Sequence, residues 1–173
     1  LNAAQKQFIV DKINPYKTAT AEIVPVDPVY MQVGFGVRRF GENLYSGIVD
    51  ESYLEIIVNG ALRRNFISIQ TQIANVFVNY FKTTNDNLGK LIDLTDISSQ
   101  IISIEGVENF RTVRVSSDGV STIAPGISLL LFNPVYPETD IQTHQQNIQL
   151  PYFKFPYLGD SLNFVDKIKL VTE

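Results

Sequence analysis

Between residues 20 and 40 the chain alternates. Val29, Met31, Val33, Phe35 and Val37 share one parity and are apolar throughout, whereas Val24, Val26, Tyr30, Gln32 and Gly34 share the other. A period of two predicts a half-buried strand over Val29–Arg39. Pro25 and Pro28 lack an amide donor, so the start of this strand is expected at a sheet edge or a bulge. The run "ESYLEIIVN" (51–59), rich in Tyr, Ile and Val, predicts a second strand. The period then changes. In "NFISIQTQIANVFVNYFK" (65–82), Phe66, Ile69, Ile73, Val76, Phe77 and Tyr80 recur at helical spacing and form one broad apolar stripe, with Asn65 or Ser68 as the cap. Its β-branched residues are poor helix formers, so packing must hold this helix.

A connector follows. "TTNDN" ends the helix, and Leu88-Gly89 calls for a tight turn with positive φ. Leu94, Ile97, Ile101 and Ile104 fall on one face of a second, shorter helix, capped by Asp93 or Thr95 and stopped by Gly106. "ENFRTVRVS" (108–116) alternates as a strand, Phe110, Thr112 and Arg114 opposing Arg111, Val113 and Val115. "SSDG" (116–119) and Pro125-Gly126 are turns around an unassigned stretch, and "ISLLLFN" (127–133) is apolar throughout, as a central strand would be. Residues 134–147 read as a polar loop. "IQLPYFKFPYL" (148–158) mixes aromatics with Pro151 and Pro156, and "LNFVDKIKLV" (162–171) alternates again and can close the sheet.

Residues 1–20 are polar with scattered apolar positions (Phe8, Ile9, Val10, Ile13) and Asn14-Pro15 marks a turn. The predicted organisation is an N-terminal arm over 1–20, an α+β core domain over 21–135, and a loop with C-terminal strands or an arm over 136–173. The fold class is α+β: a mixed, mainly antiparallel sheet with two consecutive helices packed on one face. A helix between Val58 and Val113 would also permit a βαβ crossover and a partly parallel sheet.

Composition narrows the function. The 173 residues are 45% hydrophobic and 18% charged, against about a quarter charged in an average globular chain. Such a chain is not disordered, and part of its surface is expected to be buried against other chains. The net charge is −4 with no long run of either sign, which argues against nucleic acid and against an anionic membrane surface as partners. No apolar run approaches the roughly 20 residues of a membrane span, so no membrane insertion is expected. There is no cysteine, which excludes disulfides, thiolate catalysis and thiolate metal sites and suits a cytosolic or assembly-line protein. With Leu1 at the start and Met31 the only methionine, the chain reads as a piece of a longer protein.

Candidate chemistry is sparse. His144, the only histidine, lies in the polar stretch "IQTHQQN" and reads as a solvated loop residue. "GFGVRRFG" (34–41) has two glycines of a dinucleotide fingerprint, but the third is late and the run sits inside a strand, so Gly34 and Gly36 read as sites of twist or close approach. "NDNLG" (85–89) lacks the later acidic ligands of a calcium loop. Asp93 and Asp96 suit a helix N-terminus better than a catalytic pair. Arg38-Arg39 and Arg63-Arg64 are too few for a nucleic-acid site. No catalytic, cofactor-binding or metal-binding set is predicted, and no cofactor. Tyr152, Phe153, Phe155 and Tyr157, in "PYFKFPY" (151–157), are candidate subunit-contact residues: the run is either an exposed aromatic arm for another subunit or the chain's own edge strand.

The succession of a strand, a helix ending in Tyr80-Phe81, Asn85, Leu88-Gly89, Asp93-Leu94, a short helix with Ile97, Ile101 and Ile104, then Gly106-Val107 and a strand resembles the C-terminal part of the baseplate J-like family. "EIVPVDPVYMQVGFGV" (22–37) is similar to the strand that precedes the helix in that family, and the resemblance covers roughly residues 20–116. Those proteins are wedge subunits of contractile phage tails and related injection machines. The resemblance implies a structural, non-enzymatic subunit that joins copies of itself and other baseplate wedge proteins into a ring around the tail hub. It implies a place in the virion's tail baseplate, reached by assembly in the host cytoplasm. The family carries no catalytic residues to transfer, and beyond about residue 120 no family pattern is seen. Leu88, Gly89 and Gly106 then form a structural corner, and self-contact is expected, a dimer being the commonest closed assembly. The alternative is a ligand-binding or regulatory α+β module of a larger enzyme. A hydrolase would need a carboxylate pair facing a cleft, and the Asp and Glu residues here are dispersed.

Overall fold

The computed structural model describes residues 1–38, 51–82, 88–135, 142–159 and 164–172. The side chains of residues 62–64, 142 and 143 also lie outside the description. Arg39, the loop expected over 41–47, the side chains of the Arg63-Arg64 pair, the helix end at 83–87 with Asn85 and residues 136–141 of the 134–147 loop therefore fall outside the description.

The alternating segment forms β1 (Val29–Phe35), with Met31, Val33 and Phe35 buried. β2 (Glu51–Val58) follows, and a 3-10 turn (Gly60–Asn65) leads into α2 (Phe66–Tyr80), α1 (Ala3–Ile13) having come first in the chain. β3 (Leu91–Ile92) precedes α3 (Leu94–Ile102), and then come β4 (Val107–Val115), β5 (Ser121–Pro125), β6 (Leu129–Phe132), β7 (Gln142–His144), β8 (Ile148–Gln149), β9 (Lys154–Leu158) and β10 (Ile168–Val171).

The fold is α+β, with sheets of mixed orientation in which antiparallel pairs dominate. The strands divide into a sheet of order β7-β6-β1-β9, a sheet of order β10-β2-β4-β5, and a short β3-β8 ribbon. β1 pairs antiparallel with β6 and parallel with β9, and β2 pairs antiparallel with β4 and parallel with β10.

Several expectations are corrected by these pairings. The β2–β4 connection carries both helices yet joins antiparallel neighbours, so it is no βαβ crossover; the parallel pairs come instead from the C-terminal strands. β1 is interior to its sheet, and Pro25 and Pro28 precede it, where no ladder bond is lost. Residues 121–125 are a strand, and the expected polar loop over 134–147 contains β7. Residues 164–167 form a 3-10 turn before β10, which closes an edge. The N-terminal arm is helical over Ala3–Ile13.

The helices behave as their stripes require. α2 buries Ile69, Ile73, Ala74 and Phe77, and α3 buries Leu94, Ile97 and Ile101. They pack on each other, α2 also on β10 and α3 also on β4. Gln70 pins α2 further, its Nε2 donating to the carbonyls of Val165 (3.0 Å) and Ile168 (2.7 Å). Asn65 occupies the cap position of α2 without a side-chain bond, and Ser68 lies within the helix. α3 ends at Ile102 with Ser103 as its C-cap, so Gly106 does not stop it; Gly106 (φ 95°) lies in the turn into β4. Asp93 caps α3, one carboxylate oxygen accepting from the amides of Thr95 (2.9 Å) and Asp96 (3.1 Å). Asp93→Ala is expected to lower stability by about 1 kcal/mol, with Asp93→Asn retaining most of it, as read from urea unfolding.

One apolar cluster joins both sheets and both helices, including Met31, Phe35, Leu54, Ile56, Phe77, Ile97, Leu129 and Ile168. A polar seam runs beside it. Ser128 Oγ donates to the Gly36 carbonyl (2.6 Å), and Gly36 N donates to the Ser128 carbonyl (3.1 Å). Thr112 Oγ1 accepts from Ser128 N (2.9 Å) and donates to the Gly126 carbonyl (2.9 Å). Arg114, fully buried, donates through Nη1 to the Val37 carbonyl (2.9 Å). β4 is therefore buried on both faces around Thr112–Arg114, which its alternation hides.

Candidate assembly surface

The described end of the connector between α2 and α3, residues 88–93, is held from both sides. Gly89 has φ 64°, and a Cβ there would lie 2.8 Å from the Tyr152 Cα, a backbone atom that cannot swing aside. Gly89 N donates to the Lys154 carbonyl (3.0 Å), and Gln149 Nε2 donates to the Gly89 carbonyl (2.9 Å). The β3-β8 pairing and Asn147 Oδ1, which accepts from Leu94 N (2.8 Å), continue the seam to the start of α3. On the other side the Tyr80 hydroxyl accepts from Asp93 N (2.8 Å) and donates to the Leu91 carbonyl (3.3 Å). Lys90 Nζ donates to the Tyr80 carbonyl (2.9 Å) and lies 4.0 Å from the Tyr80 ring centroid. Burial raises the Tyr80 pKa above the usual phenol value, with the Asp93 and Asp96 charges adding to the shift and the Asp93 amide opposing it. Burial lowers the Lys90 pKa, opposed by Asp96. Leu88 is half exposed at 49%. The corner is thus fixed by backbone bonds and the Tyr80–Lys90 clamp, and Leu88 is left facing solvent.

The segment that receives Gly89 is the aromatic run. The run forms an edge strand: β9 lies parallel to β1 at the sheet edge, with Tyr30 opposite Phe155 and Gln32 opposite Tyr157. Pro156 is buried there and takes the inward face, which an edge position tolerates. Phe155 and Tyr157 point outward with Tyr30, their ring centroids 5.6 Å and 6.2 Å from its own. Phe153 lies edge-on to Tyr152 at 5.4 Å, and its carbonyl accepts from Val29 N (2.8 Å). Tyr30 is 54% exposed and Tyr152 72% exposed. Half-exposed Leu88 and Leu91 beside the corner add to these exposed apolar side chains, an apolar ledge that borders β9 and the corner.

His144 is not a loop residue. It pairs with Leu129 across β6 and β7, and burial lowers its pKa. It lines a cleft of about 390 Å³ with Val37, Arg38, Gln145 and Gln146, a set with no acid–base pair among the described residues. Gly36 serves close approach as expected, since a Cβ there would lie 2.8 Å from the Leu130 Cβ. Asp93 caps α3, and Asp96 accepts from Gln100 Nε2 (3.0 Å) on the same helix. Among the described residues no group of three or more His, Cys, Asp or Glu can hold a metal ion, and no helix is long and apolar enough to cross a membrane. Sequence reasoning missed Tyr30 as part of the ledge. The available signal was its parity, opposite to that of the buried Met31 and Val33.

No family model matches the chain, and neither does any curated protein.

Proposed function

We propose that this chain is a structural, non-enzymatic subunit of a contractile-tail baseplate wedge. It would correspond to the C-terminal part of a protein resembling the large wedge protein of T-even-like phages. In this reading it joins copies of itself and other wedge proteins around the hub, assembling in the host cytoplasm and ending in the virion. The observation that carries the proposal is the exposed aromatic ledge seated on a corner held by backbone hydrogen bonds. Tyrosines that are rigidly presented and half exposed are typical anchors of subunit contacts. The residues that underlie the family resemblance serve geometry: Tyr80, Gly89 and Asp93 fix the corner, and Ile97 and Ile101 fill the core.

The test is cross-linking and light scattering of the chain with the other wedge proteins of a contractile tail. Tyr152→Ala should weaken the contact by about 2 kcal/mol, roughly thirtyfold in affinity, with an unchanged thermal midpoint. A chain that binds no tail protein at any concentration sinks the proposal.

A further inference from the structure

We propose that Asn59-Gly60 is a self-modifying site, at which the folded chain closes a succinimide ring and opens it to aspartate or isoaspartate. The chemistry needs no partner, so it is independent of what the chain assembles with.

An asparagine deamidates when the amide nitrogen of the next residue attacks its Cγ. The rate depends on how freely that nitrogen can approach, on whether its N–H is engaged, and on whether the charge gathering on Oδ1 is stabilised. Asn59-Gly60 is the single Asn-Gly pair in the sequence. Both residues are exposed, where β2 passes into the 3-10 turn Gly60–Asn65. Glycine brings no Cβ to hinder the attack. Gly60 opens the turn, and the first amides of a helical turn have no partner within it. Asn59 Oδ1 accepts from Ala61 N (3.0 Å). That bond aims an amide donor at the atom that becomes the oxyanion, and it holds the side chain over the turn that carries the nucleophile. Asn59 N donates to the Gly106 carbonyl (2.9 Å), so the main chain ahead of the reacting carbon is tethered to the turn before β4.

Other asparagines lack this combination. Asn79, Asn109 and Asn147 precede Tyr80, Phe110 and Ile148, whose bulk crowds the attack. Asn133 precedes Pro134, which has no amide hydrogen to give up. Phe110 N is also engaged, donating to the Asn109 Oδ1 (2.8 Å).

The step balances with water alone. Gly60 N loses its proton to hydroxide and bonds to Asn59 Cγ. The bond from Cγ to Nδ2 breaks and ammonia leaves. Water then adds to one of the two ring carbonyls. One opening leaves an aspartate; the other leaves an isoaspartate, whose main chain runs through the former side chain and is one methylene longer. Either product adds a negative charge, and the longer one shifts the turn against Gly106 at the junction of β2 and α2.

The test is peptide mapping by mass spectrometry over a time course in mildly alkaline buffer. The folded chain is compared with the same chain unfolded in urea and with a Gly60→Ala variant. Nothing lies within 4 Å of a Cβ built at Gly60, so this variant should keep the thermal midpoint. Ammonia should be lost first at Asn59, with isoaspartate among the products, and faster as pH rises. The folded chain should react at least as fast as the unfolded one, and Gly60→Ala tenfold or more slowly. Tenfold or greater protection of Asn59 by folding overturns the proposal, as does earlier reaction at another asparagine or an equal rate in Gly60→Ala. Should that variant unfold, the comparison of folded and unfolded wild type decides by itself.

Discussion

Phe77→Ala is expected to lower the unfolding free energy by about 3–5 kcal/mol, close to the whole stability of a marginal domain. Phe77 is fully buried in α2, and its ring centroid lies 5.3 Å from those of both Phe35 and Phe164. Phe35 belongs to the β1 sheet, and Phe164 precedes β10 of the other sheet, its ring 5.2 Å from that of Phe35. The three rings therefore join two sheets and a helix through one cluster. Removing the central ring opens a cavity whose walls belong to separate elements, and none of them can collapse inward without dragging a sheet. Urea unfolding should show a lowered midpoint at unchanged slope. The control is Ile67→Ala on the same helix, where an 81% exposed side chain should cost no more than about 0.5 kcal/mol. A Phe77→Ala cost under about 1 kcal/mol would falsify the claim that this cluster couples the sheets.

How far the sequence shows all this depends on the range of the cause. The helical stripe of α2 and the alternation of β1 are local signals. Burial follows them at Ile69, Ile73 and Phe77, and at Met31, Val33 and Phe35. Gly89 is legible as a turn by its residue type, and its φ of 64° agrees. Its second reason, the approach to Tyr152, is invisible in the neighbouring residues because β9 arrives there from far along the chain. The parallel pairing of β9 with β1 and of β10 with β2 is lost to sequence reasoning for the same cause. β5 and β7 carry short, weakly apolar patterns and are strands because neighbours recruit them. Arg114 reads as one polar position of an alternating strand. Its burial brings it to the Val37 carbonyl, contributed by the segment that follows β1 in the other sheet. The aromatic run offered two readings of equal weight, since Tyr and Phe suit an edge strand and a subunit contact alike. The register of β9 against Tyr30 shows an edge strand, and Tyr152, just before it, is exposed.

Gly89→Ala is the sharper test of the corner, because it changes geometry while removing no contact. Alanine at φ 64° carries about 1–2 kcal/mol of left-handed strain. The new Cβ also meets the Tyr152 Cα at 2.8 Å, so the 152–154 backbone must give way. Overpacking of that kind adds about 1–3 kcal/mol, which brings the expected total to about 3 kcal/mol. Gly119→Ala separates the two contributions. Gly119 has φ 79°, and nothing lies within 4 Å of its hypothetical Cβ, so only the strain of about 1–2 kcal/mol should appear. If both variants unfold at the same urea concentration, the connector adapts freely and the fixed corner is wrong. If Gly89→Ala costs more, the displaced segment is the one that carries Tyr152, whose backbone the glycine touches. If the chain has the baseplate role proposed above, the variant should then lose affinity for wedge proteins even under conditions where it remains folded, whereas Gly119→Ala should keep it. Only a corner that sets the position of the ledge predicts that separation of stability from binding.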